Sequence, residues 1–215
     1  MLFSSPTLIA AMEDRQITDI LDEIKDVEHG FLHITQSGKR ILSHPRLVHF
    51  DLAVEFLAEP SYQVRMLGTW ILGELSVTDA RALPVLKNQV ASDSNWRVQE
   101  MLAKAFDSFC QKTGYQQALP TIVQWLDNEN ANVKRAVVEG LRIWTGRPYF
   151  DSNPAVAIAL ITRHKADPSE YLRKSVGNAL RDIGKKHSGL VSNELDSWDL
   201  SNRAIEFTYK FATKK

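Results

Sequence analysis

The chain carries a single cysteine, Cys110. One thiol closes no intramolecular disulfide and builds no zinc site by itself, so a reducing cytoplasm is the expected compartment. Cys110 ends the apolar helical stretch AKAFDSFC, which assigns it to core packing rather than chemistry. Long apolar runs are also missing. The longest, Ala155 to Ile161, has seven residues, against roughly eighteen for a bilayer span, so no membrane partner is expected. The N-terminal MLFSSPTLIAAMED has no basic residue before its short apolar stretch and acids directly after it, a poor secretory signal. No glycine-rich phosphate loop is present. The histidines at 29, 33, 44, 49, 164 and 187 are scattered among turns and N-terminal helices; His29 and His33 share an i,i+4 face without a carboxylate set of the HExxH kind. No metal and no other cofactor is expected. No segment shows a convincing strand alternation.

What the sequence does hold is core material and charge. Its 215 residues are 44% hydrophobic and 24% charged, the composition of an ordinary folded protein. That length suits one elongated array or one domain with an appendage, and the whole of 1–215 reads as a single domain. Net charge is zero, but it is graded along the chain: −5 over residues 1–60, −1 over 61–130, +6 over 131–190 and 0 over 191–215. The basic third quarter favours a polyanionic partner, although a solvated surface also produces such swings.

Four segments share one pattern: SYQVRMLGTWILGEL, NWRVQEMLAKAFDSF, NANVKRAVVEGLRIW and SEYLRKSVGNALRDI. Their first aliphatic residues, Val64, Val98, Val133 and Leu172, are 34, 35 and 39 residues apart. Apolar or small residues recur four, eight and eleven positions later: Gly68, Leu72, Leu75; Leu102, Phe106, Phe109; Val137, Leu141, Trp144; Val176, Leu180, Ile183. This is a helical stripe, repeated. Shorter amphipathic segments with Pro near their starts (LPVLKNQVAS, ALPTIVQWLDNE, PAVAIALITRHKAD) supply a second helix per unit. Asp93-Ser94, Asn130 with Asn132, and Ser169 mark the turns before the striped helices. Residues 1–60 add helices over Glu13–Asp26, Phe31–Leu42 and Leu47–Ala58; residues 61–200 hold the four units; 201–215 end in a helix over Asn202–Ala212. Alternatively, the SGK tripeptide at 37–39 turns a short hairpin. Helix pairs repeating every 35 to 40 residues predict an all-α, HEAT-like solenoid, a curved superhelix with a concave groove lined by the striped helices.

Opposite the stripe, the period places +2, +6, +9 and +13 on the groove face. These are Met66, Trp70, Gly73; Glu100, Lys104, Asp107; Arg135, Glu139, Arg142; Lys174, Asn178, Arg181, Lys185. With Lys134 and Arg173 at +1, and Arg147 in the loop after Trp144, they form a basic strip suited to a phosphate backbone. The plainer alternative is a solvated face with pairs such as Arg135 to Glu139. Trp96 and Glu100 put an aromatic and a carboxylate on one face, suited to a sugar that develops positive charge. Otherwise Trp96 packs, and Glu100 pairs with Lys104 or Arg135.

From about Val64 to Trp198 the chain resembles the AlkD-type superfamily of HEAT-like DNA alkylation-repair proteins, most of all its AlkF branch. The strings that carry the likeness are SNWRVQEMLAKAFDSF, NVKRAVVEGLRIWTGRPYF and EYLRKSVGNALRDIGKKHSGLV. In the superfamily's active glycosylases two tryptophans, an aspartate and an arginine surround the lesion. By that resemblance Trp96 matches the first tryptophan and Arg135, in VKRA, the arginine. Glu100 stands at the aspartate position, and Asn178, in SVGNALRDIGK, at the second tryptophan. The family implies hydrolysis of the N-glycosidic bond of purines alkylated at N3 or N7. The two departures imply that excision is weak or absent, while a monomer still holds damaged, distorted or branched DNA in its groove. An active alkylpurine glycosylase is the alternative. A protein-interaction scaffold is a third, and Met66 with Trp70 would begin its exposed apolar patch.

Overall fold

The structure is a computed structural model that describes residues 6–214, with side chains from Arg15 onward. The first five residues of the segment read as a poor secretory signal lie outside it. Every regular element among the described residues is helical: α1 (Pro6–Lys25), α2 (Leu32–Leu42), α3 (His49–Leu57), α4 (Tyr62–Leu75), α5 (Ala82–Asn88), α6 (Trp96–Thr113), α7 (Tyr115–Leu126), α8 (Ala131–Trp144), α9 (Pro148–Ser152), α10 (Pro154–Thr162), α11 (Glu170–Gly184), α12 (Ser188–Asp196) and α13 (Arg203–Ala212). None is long and apolar enough to cross a membrane.

The striped helices α4, α6, α8 and α11 pack side by side in chain order, and α13 extends their row. Helices α3, α5, α7, α10 and α12 pack against the row. This is the HEAT-like solenoid, and its cause is the stripe: Val64, Leu72, Val98, Leu102, Phe106, Val133, Val137, Leu141, Trp144, Leu172, Val176, Leu180 and Ile183 are all buried. Burying such a side chain is worth about 1.5–3 kcal/mol, and no single helix pair has the partner surface to do it. Two glycines set how closely the row packs. A Cβ on Gly73 would fall 2.6 Å from the Ala105 Cα, and one on Gly177 would fall 2.6 Å from the Thr208 carbonyl oxygen.

The turns before α6, α8 and α11 repeat one device. Asp93, Asn128 and Asp167 each accept a hydrogen bond from the backbone N–H two residues on, at 2.8, 2.8 and 2.9 Å. Then Asn95, Asn130 and Ser169 cap the helix that follows. The +1 residue of the striped helix reaches these turns. Arg65 bonds Asp93 at 2.7 Å, and Lys134 bonds Asp167 at 2.5 Å, so each spans to the next unit. Arg65 and Arg173 also donate to the two carbonyls before their own helix. The +1 column therefore joins neighbouring units.

Three local expectations are corrected. Ser37 and Gly38 sit inside α2 and are buried, so no hairpin forms. Gly38 is a packing gap: a Cβ there would meet the Trp70 ring at 2.1 Å. By the same contact α2 covers the face of α4 that carries Trp70, and with Met66 buried and Trp70 half-buried the two do not begin an exposed apolar patch. Pro120 lies in the interior of α7, not near its start, because the helix begins earlier, at Tyr115. Two helices also went unread: the five-residue α9 and α12, whose start at His187 has no side-chain cap.

Candidate functional site

The faces of α6 and α8 opposite the stripe open into a cavity of about 430 Å³. Glu100, Lys104 and Asp107 of α6 stand on one side, Arg135 and Glu139 of α8 on the other, and Phe31 and Arg147 at the ends. Gly140 belongs to the wall because the Trp144 indole lies across it; a Cβ would meet that ring at 2.4 Å. Of the residues expected at the site, the structure brings Glu100, Lys104, Arg135 and Arg147 together here. Trp96, Asn178 and the remaining cations lie outside the cavity lining.

Glu100 makes no hydrogen bond or ion pair with any described residue, so neither Lys104 nor Arg135 neutralises it. Lys104 also lacks an acidic partner; its ammonium sits 4.6 Å from the centre of the Phe31 ring. Arg135 is only 9% exposed, yet its Nε has no hydrogen-bond partner. Its guanidinium lies over the Tyr171 ring at 4.3 Å, and its one carboxylate, Glu139, is 4.0 Å away. A buried guanidinium N–H without an acceptor costs about 1–3 kcal/mol or more, and Arg135 is the charged residue of the cavity lining that is buried.

Asp107 has the opposite surroundings. Its carboxylate accepts from the Trp144 indole N–H at 2.6 Å, the Tyr115 hydroxyl at 2.9 Å and both terminal nitrogens of Arg147 at 2.9 and 3.0 Å. The Trp144 and Tyr115 rings belong to an aromatic cluster with Phe106, Trp125 and Phe150. Asp107 thus fastens the cavity floor to the core and occupies Arg147.

Farther along the row the cations are paired. Arg142 bonds Glu139 at 3.0 Å and Asp182 at 2.6 Å; Asp182 is also met by Lys185 at 2.7 Å and by Arg181 at 3.8 Å; Lys174 bonds Glu170 at 2.9 Å. Burial pushes the Asp182 carboxyl up. The Lys185 hydrogen bond and the charges of Arg142, Lys185 and Arg181 outweigh that and hold it below its usual range. Lys134 and Arg173 are committed to the turns between units. Asn178, half-buried on α11, has no partner among the described residues.

Trp96 opens α6 and is half exposed, with the guanidinium of Arg97 over its ring at 4.5 Å. Arg97 stands one residue before Val98, outside the +1, +2, +6, +9 and +13 columns counted from the stripe. Phe31 also went unread, since only the packing of α2 on α4 carries it to the cavity. Cys110 is buried, and burial pushes its thiol pKa well up, as an inert core residue requires. No cluster of three metal-ligating side chains occurs among the described residues.

Comparison with known proteins gives the following. Residues 33–215 match the profile of a family described as DNA alkylation repair enzyme. AlkD2 from Streptococcus mutans is 45% identical, with a TM-score of 0.88 over 94% of this chain and 98% of that one. The protein smu.31 from Streptococcus mutans UA159 is 43% identical, with a TM-score of 0.82 over 95% and 97%. The alkylpurine DNA glycosylase AlkC from Pseudomonas fluorescens, solved bound to DNA containing an abasic site analog, shares the fold at 21% identity, with a TM-score of 0.65 over 84% of this chain and 51% of that one. The Bacillus subtilis (strain 168) protein YhaZ is 31% identical over 87 residues, which span 39% of this chain and only 24% of YhaZ.

Proposed function

Since the chain belongs to the DNA alkylation repair enzyme family, we propose that it binds damaged, distorted or branched duplex DNA along the cleft between α6 and α8, with purine excision weak or absent. Arg135 carries this reading: its guanidinium lines the cavity, held over the Tyr171 ring with its one carboxylate 4.0 Å away, and of its nitrogens only Nε is sealed from solvent, so the terminal nitrogens are left to a phosphate oxygen. Lys104, without a counterion, stands beside it, and Arg147, Arg142, Lys174, Arg181 and Lys185 become available wherever a phosphate displaces their carboxylates. Lys134 and Arg173 act through the turns they brace. Contacts of this kind are to phosphate and sugar, so binding is insensitive to base sequence. The branch-level likeness to AlkF, a monomeric state and a cytoplasmic location belong to the same proposal.

Weak excision follows from Glu100 and Asn178. A glutamate in place of aspartate carries its carboxylate roughly 1–1.5 Å farther, and a misplacement of about 1 Å costs on the order of 100-fold in rate. Asn178 puts an amide where the family's active members have an indole. Affinity for duplex or junction DNA is expected to fall with salt at a log–log slope of roughly −3 to −6, in anisotropy titrations comparing linear, mismatched, alkylated and branched duplexes. A flat salt response overturns the reading.

One observation favours the second reading, an active glycosylase: the Glu100 carboxylate stands unpaired in the cleft near Arg135. In that case water attacks the anomeric carbon, the electron pair of the glycosidic bond leaves with the alkylated base, Glu100 takes the proton from water, and Arg135 holds the phosphate. Release of 7-methylguanine or 3-methyladenine from N-methylated DNA, abolished by Glu100→Gln, establishes it. No release at stoichiometric protein removes it.

A further inference from the structure

We propose that Arg97 is a second phosphodiester contact, at the Trp96 end of the cleft, held in place by Tyr62, Trp96 and His29. This rests on the DNA-binding reading above. The guanidinium carbon lies 4.5 Å from the centre of the Trp96 ring and 5.2 Å from that of Tyr62, and a terminal nitrogen is 3.1 Å from His29 Nδ1. No carboxylate among the described residues pairs with Arg97. Glu28 approaches the far side of the imidazole, 3.9 Å from His29 Nε2.

The cage is assembled from three parts of the chain. The Tyr62 hydroxyl donates to the Glu28 carbonyl at 2.8 Å, and Gln63 donates to the Lys25 carbonyl at 3.1 Å, so the turn after α1 is tied to the start of α4. That turn presents His29 to Arg97 at the start of α6. A guanidinium only donates, so His29 Nδ1 accepts, which requires a neutral imidazole. A neutral acceptor and two aromatic faces orient the guanidinium without cancelling its charge. The location does not favour stability either, because Arg97 is the second residue of α6, at the positive end of the helix dipole. What results is a full positive charge with a restrained plane and no counterion, beside a half-exposed indole. A guanidinium fork matches a phosphate, and an aromatic surface next to it matches the sugar or base of the same nucleotide.

The test is anisotropy with a fluorescent duplex between 50 and 200 mM salt. Arg97→Gln removes the charge and keeps a shorter polar side chain; it is expected to weaken binding about 5- to 10-fold and to make the salt slope shallower by about 0.9. Arg97→Lys keeps the slope but loses several-fold in affinity, because an ammonium has no plane for the two rings to hold. The Lys variant also carries the test if the Gln variant folds poorly. Arg135→Gln runs alongside. A shallower slope in Arg135→Gln, with wild-type affinity and slope in both Arg97 variants, overturns this proposal and leaves the DNA-binding reading standing. A wild-type protein that binds no duplex at 50 mM salt overturns both.

Discussion

On α6, Arg97 and Lys104 meet aromatic rings and no carboxylate, whereas on α8 and α11 Arg142, Lys174, Arg181 and Lys185 each reach one. The sequence points the other way: residues 131–190 carry +6 and residues 61–130 carry −1. Segment charge counts side chains, while a ligand meets only the charge that neighbours leave uncompensated. Part of the excess over 131–190 is spent on acids of the neighbouring segments, on Asp107 by Arg147, on Asp127 by Arg163 and on Glu194 by Lys165, while Arg173 is held by the turn carbonyls. Arg135 stands between the two groups, with a distant acid and an orphaned Nε.

The contrast breaks most visibly at Lys134. Its side chain and that of Asp167 are 13% and 7% exposed, so Lys134→Met strands a buried carboxylate and should cost about 3 kcal/mol in urea unfolding. The salt slope of DNA binding should not move; a change near one unit would return Lys134 to the contact surface. Arg135→Gln should do the reverse. It should weaken DNA binding about tenfold and make the slope shallower by about 0.9, with unfolding stability within about 1 kcal/mol of wild type, since the residue that leaves was incompletely satisfied.

A smaller effect is expected with pH. His164 adjoins the Lys134–Asp167 pair. Burial first and the Lys134 charge second lower its pKa, Arg163 adds to this, and Asp167 and Asp127 oppose it. With the folded pKa below the unfolded one, the contribution of His164 is complete above about pH 6.5 and is lost as pH falls from there through the folded value. Urea midpoints between pH 8 and 5 should drop over that window, and His164→Leu should flatten the drop. A profile unchanged by His164→Leu would assign the acid sensitivity to another group. The smallest effect belongs to Lys174, whose exposed i,i+4 pair with Glu170 is worth about 0.3–0.5 kcal/mol. Lys174→Gln should change DNA affinity less than about twofold, and Glu170→Gln, which frees the ammonium, should raise it by a similar factor. A larger loss in Lys174→Gln would show that the paired strip opens for DNA.

The helices and their buried faces were legible because they are local facts. Val133, Val137, Leu141 and Trp144 are spaced by the turn of one helix, and all four are buried. Glu100, Lys104 and Arg135 could be placed in one cleft because the same period puts them opposite that stripe. Phe31 could not, since it arrives on a helix that packs some thirty residues away in sequence, on α4. Gly38 reads as a turn signal until the Trp70 ring is seen against it. Arg97 falls outside the columns counted from the stripe, and His29, which lies beside it, comes from the turn after α1.

By itself the sequence determined the repeat, the stripe, the all-helical architecture and the family, because each depends on residue type at short, regular spacing. Only the tertiary structure decided which cations are free. Whether an arginine faces a carboxylate, a carbonyl or an aromatic ring depends on side chains contributed from other elements, and a 3.6-residue period carries no information about what stands across the gap.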